Sequence, residues 1–186
     1  MRDTADTAFG TESEDAGGPS PEPFRLGDLN LRVEAEEYRT LGQERQAQGD
    51  VEDAAAYYQM SLELFPTAEA HTNLGWVIAC RGGWEEAIAE CEKAIALDPD
   101  LGNAYNDIAV YLIELDRLDD ALPFLDKALA APNYDCRHYP HYHRGRILER
   151  KARFMEARDA YRKSMDLDPT WEPARIGLHR AFGFLN

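Results

Sequence analysis

The chain has 186 residues, of which 44% are hydrophobic, and its formal net charge at pH 7 is −15. This length is enough for one cooperative core with a tail and excludes two ordinary domains joined by a linker. The acidity makes nucleic acid or an anionic membrane surface an unfavourable main partner, because both would repel the chain.

The charge is divided unevenly along the sequence. Residues 1 to 136 contain 9 Lys and Arg against 29 Asp and Glu, whereas residues 137 to 186 contain 11 against 6. The chain therefore changes from acidic to basic near residue 137.

The first 27 residues are rich in Gly, Pro, Ser, Thr and acidic side chains, with only Phe9, Phe24 and Leu26 as sizeable apolar groups. Such a segment buries too little apolar surface to offset the entropy of ordering. The composition predicts a disordered acidic tail over residues 1–27, followed by one folded domain over residues 28–186. A docking arm that folds on a partner is the alternative.

The sequence favours a cytoplasmic location. Its first residues lack the apolar run of a signal peptide, and no stretch approaches the roughly 20 apolar residues that cross a bilayer. The cysteines are three in number and follow no disulfide-framework spacing, which favours reduced thiols; they are Cys80, Cys91 and Cys136.

From about residue 30, apolar residues recur at spacings of three and four, and Gly or Pro marks each turn. This pattern predicts four helix pairs and one last amphipathic helix, over residues 30–48 with 51–64, 67–81 with 84–96, 101–115 with 118–130, 139–152 with 154–167, and 171–184. Because no partner helix follows the last one, we expect it to cap the open end of the stack.

The four pairs repeat the same columns of small and large residues with a period near 34. The small columns are Gly42, Gly75, Ala109 and Gly145; Ala54, Ala87, Ala121 and Ala157; and Ser61, Ala94, Ala128 and Ser164. The large columns are Val51, Trp84, Leu118 and Phe154, and Tyr58, Cys91, Leu125 and Tyr161. Added methylenes in the small columns would overpack close backbone contacts by about 1 to 3 kcal/mol. The period indicates a solenoid, whose repeats bury their apolar faces by stacking.

These columns resemble the tetratricopeptide repeat over about residues 35 to 171. The resemblance implies an all-α, right-handed superhelical solenoid of four helix pairs with a C-terminal capping helix. The repeats fall at about 35–67, 68–101, 102–135 and 138–171, and the capping helix at about 171–184. Similarity to short bacterial proteins built only of such repeats, with an Arg-rich and Lys-poor composition, favours a bacterial origin.

The last repeat departs from the pattern in two ways. A two-residue insertion lies within residues 133–137, and Arg144 occupies a column that holds Leu41, Leu74 and Ile108 in the other repeats. A charge on a normally buried column must find a partner or extend its stem to water. The change from acidic to basic also begins here.

In tetratricopeptide repeats the first helix of each pair lines a concave groove. The groove-facing positions here carry amides, which both donate and accept hydrogen bonds, and aromatic rings with flat apolar faces, a combination that suits an extended peptide. The resemblance therefore implies that a partner binds at Arg39, Gln43, Asn73, Trp76, Asn106, Asp107, Tyr142, His143, Arg146 and Arg150.

Some co-chaperones with similar repeats bind a C-terminal carboxylate through cations and asparagines. The two third-repeat positions that carry cations in those proteins are Asn103 and Asp107 here. Because Asp107 would repel a carboxylate, the sequence predicts no carboxylate clamp.

Neither a metal site nor an active site is predicted. Cys136, His138, His141 and His143 are ligand types for zinc, but they form one run without the second half that a structural site requires. The sequence contains no Gly-rich phosphate loop, nucleophile elbow or His-Glu-x-x-His motif. We therefore expect no enzyme activity and no cofactor.

Two hypotheses of function remain. The first is a non-catalytic adaptor, a monomer or weak homodimer, that binds a peptide segment of a partner protein in the groove, with acidic partner residues opposite the basic fourth repeat and with no role for nucleic acid or membrane. The second is a structural assembly factor that self-associates or joins a larger complex through its ends or convex face, using Phe182, Phe184 and Leu185.

Overall fold

The computed structural model describes residues 26–184, with side chains from residue 29 onward. The predicted tail lies outside the described residues except at positions 26 and 27. Within the described range the chain forms nine α-helices and no strand: α1 (Leu26–Gln48), α2 (Val51–Leu64), α3 (Ala68–Cys80), α4 (Trp84–Leu97), α5 (Gly102–Glu114), α6 (Leu118–Ala130), α7 (His138–Arg150), α8 (Phe154–Leu167) and α9 (Glu172–Gly183).

The helices pack as four consecutive pairs. Each odd-numbered helix from α1 to α7 lies against the helix that follows it, each pair packs on the next, and α9 packs on α8 and α7. The predicted all-α superhelical repeat fold is confirmed. Helix α1 begins at Leu26, four residues earlier than predicted. The repeat pattern does not indicate this start, because the first turns of α1 precede the first repeat.

The turn inside each pair uses a left-handed backbone position at the same place in all four repeats. Gly49 and Gly82 have φ angles of 84° and 82°, and Asp116 and Ala152 have φ angles of 59° and 56°. Glycine adopts this region without a steric cost, whereas an L side chain is strained there by about 1 to 2 kcal/mol. The third and fourth repeats therefore carry backbone strain that the first two avoid.

The small columns lie where helices meet. A Cβ atom added to Gly42 would stand 2.5 Å from a ring carbon of Tyr58, and one added to Gly145 would stand 2.5 Å from a ring carbon of Tyr161. At Gly75 the facing side chain is the smaller Cys91, and the added atom would stand 3.1 Å from the carbonyl oxygen of Ala87 and 3.3 Å from the Cys91 sulfur. The size of the facing side chain therefore sets how strictly glycine is required.

The insertion between α6 and α7 is ordered. Tyr134 is 2% exposed and packs over Gly102. A Cβ atom added to Gly102 would stand 2.4 Å from the Cβ atom of Tyr134. Arg137 donates hydrogen bonds to the carbonyl oxygens of Leu129 and Ala131 at the end of α6. These contacts satisfy carbonyl groups that the helix end would otherwise leave unpaired, and they fix the approach of the chain to α7.

Candidate binding cleft

Two adjoining cavities lie between the first helices of the second, third and fourth repeats. Their volumes are about 380 Å³ and 220 Å³. Both are lined by Trp76 from α3, Asn106 and Asp107 from α5, and Tyr139 from α7. Because they share these four residues, we treat them as the two lobes of one cleft.

The two lobes differ in chemistry. The larger lobe is mostly aromatic and apolar, and its further lining residues are Ala79, Cys80, Trp84, Val110, Tyr111 and His143. The smaller lobe is mostly polar, and its further lining residues are Gln46, Thr72, Asn73, Asn103, Tyr134 and Cys136. We call them the aromatic lobe and the polar lobe.

Several polar atoms of the cleft are buried without a hydrogen-bond partner in the described structure. They are Oδ1 of Asn106, Nδ2 of Asn73 and the hydroxyl oxygens of Tyr111 and Tyr134. Asn106 is only 6% exposed, and its Nδ2 donates a long hydrogen bond of 3.4 Å to Oδ1 of Asp107. Since a buried unpaired polar group costs about 1 to 3 kcal/mol, a ligand that pairs with these atoms would recover stability.

Burial controls the charge of the cleft. It raises the pKa of Asp107 to about 7, against a weaker opposing effect of the hydrogen bond from Asn106. Burial lowers the pKa of His143 to about 3, and the positive charge of Arg146 adds to this effect. At neutral pH the imidazole is therefore uncharged, and Asp107 is the group that titrates.

The structure brings five of the ten predicted residues together in this cleft: Asn73, Trp76, Asn106, Asp107 and His143. Two others lie on α1 and line neither lobe. Arg39 pairs with Glu36 through Nε and Oε2 at 2.8 Å, and Gln43 is exposed.

Arg146 and Arg150 also lie outside the cleft lining, because acidic groups of the third repeat engage them. Arg146 pairs with Glu114 at 2.7 Å, and Arg150 donates to the carbonyl oxygen of Ile113 at 2.6 Å and lies 3.6 Å from the carboxylate of Asp116.

Further pairs join the third and fourth repeats in the same way. Arg144 pairs with Asp126, and Lys151 pairs with Asp119. Basic residues of the fourth repeat therefore form ion pairs with acidic residues of the third repeat. Arg144 meets its predicted need for a partner through one of them.

Tyr142 packs against the rings of Tyr161 and Trp171, with centroid distances of 5.9 Å and 6.3 Å. It joins the buried cluster under α9 and does not line either lobe.

Sequence reasoning missed two aromatic side chains of the aromatic lobe, Trp84 and Tyr111, and placed a third, Tyr139, in the groove without choosing it as a binding residue. Trp84 occupies a column of large packing residues, so its second role was not visible from the repeat. Tyr111 follows Asp107 by four residues and so shares its helix face, and Tyr139 occupies a groove-facing position of the last repeat. These two signals were available.

The histidines of the segment from Cys136 to His143 lie in different environments. The His138 ring packs on Tyr139 and Trp171, with centroid distances of 4.1 Å and 5.4 Å, while His143 lines the aromatic lobe. Over residues 26–184, no group of three or more His, Cys, Asp or Glu side chains is placed to hold a metal ion. Nor does this range contain a helix with the length and apolar character to cross a membrane.

The family model described as "Tetratricopeptide repeat" matches residues 39–102, 81–135 and 139–170. The chain belongs to the tetratricopeptide repeat family. The resemblance drawn from the repeat columns is thus confirmed, and the cleft lies among the first helices of three successive tetratricopeptide repeats.

The curated relatives match only part of this tetratricopeptide repeat chain. Mouse sperm-associated antigen 1 is 35% identical over 88 residues, which make up 47% of this chain and 10% of that protein. The TPR repeat-containing thioredoxin TTL4 of Arabidopsis thaliana is 28% identical over 89 residues, or 47% of this chain and 13% of that protein.

Solved tetratricopeptide repeat structures share the fold at low identity. PilF of Pseudomonas aeruginosa has a TM-score of 0.77 and 22% identity, covering 83% of this chain and 70% of its own. YrrB, described as a TPR protein with an unusual peptide-binding site, has a TM-score of 0.61 and 21% identity, covering 84% of this chain and 81% of its own. At this identity they show a common fold.

Proposed function

We propose that this tetratricopeptide repeat protein is an adaptor that binds a peptide segment of a partner protein in the cleft between α3, α5 and α7. The observation that carries the proposal is the set of buried, unpaired polar atoms beside an exposed tryptophan: Trp76 is 38% exposed at the junction of the two lobes. Buried polar atoms in folded proteins pair with protein groups, ordered water or a bound ligand, so these atoms are available to the polar groups of a peptide.

The chemistry of the lobes suits an extended peptide. Side-chain amides of the polar lobe, such as Asn73 and Asn103, can both donate to and accept from a peptide backbone. The aromatic lobe offers Trp76 and Trp84 as flat apolar surfaces for one peptide side chain. The peptide-binding site described for YrrB, a protein of the same fold, supports this reading.

The proposal includes a non-catalytic role and a reducing, cytoplasmic location in a bacterium, which the free thiols of Cys80, Cys91 and Cys136 support. Acidic partner residues opposite the fourth repeat stay a prediction. Because Arg146 and Arg150 are already engaged by the third repeat, we expect their contribution to partner affinity to be small.

The test is a selection of random dodecapeptides on the immobilised full chain, followed by titration of synthetic consensus peptides. We expect Trp76→Ala to weaken binding at least about tenfold, since an aromatic anchor in an interface contributes 1.4 kcal/mol or more. The control is Phe184→Ala, which truncates a ring that stacks on Phe154 and lines neither lobe. Peptides that bind both variants as tightly as the parent would refute the proposal.

The second candidate, assembly through the ends, rests on exposed apolar side chains there. Leu29 and Val33 on α1 are 45% and 54% exposed, while Ile176 and Phe184 near the C-terminal end are 52% and 59% exposed. Light scattering at several concentrations tests it. A concentration-dependent dimer that Phe184→Asp abolishes would favour assembly, and a monomer at every concentration would exclude self-association.

A further inference from the structure

The carboxylate of Asp107 stands in the cleft without a cation. It forms no ion pair with any of the described residues, and its hydrogen bond from Asn106 is long, at 3.4 Å. Arg146 on α7 is engaged by other groups: it contacts His143 at 3.5 Å and pairs with Glu114 at 2.7 Å. Among the side chains that the structure describes, no Lys or Arg lines either lobe.

Three residues of α5 with oxygen acceptors line the aromatic lobe. Asp107 and Tyr111 are four residues apart and so share a helix face, and both line the aromatic lobe with Asn106. Oδ1 of Asn106 and the hydroxyl oxygen of Tyr111 are buried without partners. Three acceptors match the three donors of a lysine ammonium group.

Aromatic rings surround these acceptors. Trp84 and Tyr111 have ring centroids 6.1 Å apart, and Trp76 and Tyr139 complete the aromatic lining. The faces of such rings attract cations, and their apolar area accommodates the methylene stem of a long basic side chain. A volume of about 380 Å³ is at the lower end for ligand pockets, so it fits a single side chain.

We propose that the aromatic lobe is a specificity pocket for a basic side chain, lysine foremost, of the bound peptide, with its ammonium group on Asp107 and Asn106. This inference rests on the proposed function and names the class of ligand. An acidic side chain would meet the like charge of Asp107, and an apolar one would leave the carboxylate without a cation and Oδ1 of Asn106 buried and unpaired.

The pocket makes binding depend on pH. Burial raises the pKa of Asp107 to about 7, and six other titratable groups around the cleft have pKa values moved away from the range of pH 6 to 8. A seventh, the thiol of Cys136, lines the polar lobe. Burial raises the pKa values of Cys80, Cys91, Tyr111, Tyr134 and Tyr139 and lowers that of His143. Since an ammonium group pairs with the ionised carboxylate, we expect affinity about tenfold weaker at pH 6 than at pH 8.

The experiment uses the peptide selection described above on the parent and on Asp107→Asn. We expect a fixed Lys or Arg position in peptides selected on the parent and its loss in those selected on the variant. The matched control is Asp100→Asn, which makes the same charge change at an exposed position. In the consensus peptide, capped and free of histidine, replacing lysine by norleucine should weaken binding at least about tenfold, because a charge-assisted pair is lost.

The outcomes separate the two proposals. If no selected peptide depends on Trp76, the peptide-binding function fails. If binding depends on Trp76 but the peptides carry no fixed basic residue, or the norleucine peptide binds equally well, peptide binding stands and the basic pocket is wrong. If n-butylamine competes with the peptide for the pocket while the parent selects no basic residue, the pocket takes free amines and the peptide source is refuted.

Discussion

Replacing Asp107 by the isosteric asparagine should stabilise the unliganded protein at neutral pH. Burial raises the pKa of Asp107 to about 7, whereas an aspartate in an unfolded chain titrates near about 3.9. The folded state therefore holds this proton more tightly than the unfolded state, and ionisation costs folding free energy. A difference of about three pKa units corresponds to an upper value of about 4 kcal/mol.

The direction of the pH dependence follows from the raised pKa. Below about pH 4 the carboxyl is protonated in both states, so it causes no loss of stability. As the pH rises, the unfolded state ionises first, and the wild-type protein loses stability until the pH passes the folded pKa near 7. Between pH 5 and pH 8 the advantage of Asp107→Asn should widen by about 2 to 3 kcal/mol.

Urea unfolding followed by far-ultraviolet circular dichroism at pH 5, 6, 7 and 8 measures this difference. Comparison with Asp100→Asn and with the parent removes the contributions of other carboxylates, such as Glu90 and Glu149, whose ion pairs lower their pKa values. An advantage that stays constant from pH 5 to pH 8, or a variant less stable than the parent at pH 8, would refute the reasoning.

Two further predictions concern the left-handed turn position and the small column that contains Gly75 and Gly145, and urea unfolding measures both. Ala152→Gly should raise the free energy of unfolding by about 1 kcal/mol, because Ala152 has a φ of 56°. Gly82→Ala should lower it by a similar amount, because Gly82 has a φ of 82° and none of the described residues lies within 4 Å of the added atom. Equal stability of parent and Ala152→Gly would show that the turn carries no strain. Gly145→Ala should lower it by about 1 to 3 kcal/mol, since its Cβ atom would stand 2.5 Å from the Tyr161 ring. The same change at Gly75, where the nearest atoms are the carbonyl oxygen of Ala87 at 3.1 Å and the Cys91 sulfur at 3.3 Å, should cost less, and the opposite order would contradict this packing.

The repeat columns predicted the fold because each column records a local contact. Gly145 and Tyr161 are 16 positions apart, within one helix pair, and the same spacing relates Gly42 to Tyr58. Four copies of such a contact make the pattern visible in a single sequence. The helices therefore begin and end close to the predicted residues.

Only half of the predicted binding residues line the cleft, because the repeat columns record contacts within a helix pair and not contacts that occur once. Trp76, Asp107 and His143 lie in it because repeat position determines which side of a first helix each occupies. The surroundings of Arg146 depend on how the fourth repeat packs on the third, across 32 residues to Glu114. No column records that contact, because it occurs once.

The ion pair between Arg146 and Glu114 distinguishes the joint between the third and fourth repeats from the other joints. In the repeat frame the position of Glu114 holds Ala47 in the first repeat and Cys80 in the second, so Arg146 would meet no carboxylate there if the fourth repeat were moved along the chain. The four repeats share a backbone shape that would allow them to exchange places. Moving the fourth repeat would separate Arg146 from Glu114, whereas Lys151 would still meet an acid, because Glu52 and Glu85 occupy the position of Asp119 in the first two repeats. A shuffled array would therefore lose this one ion pair, at a cost of at most about 1 kcal/mol, while keeping every helix.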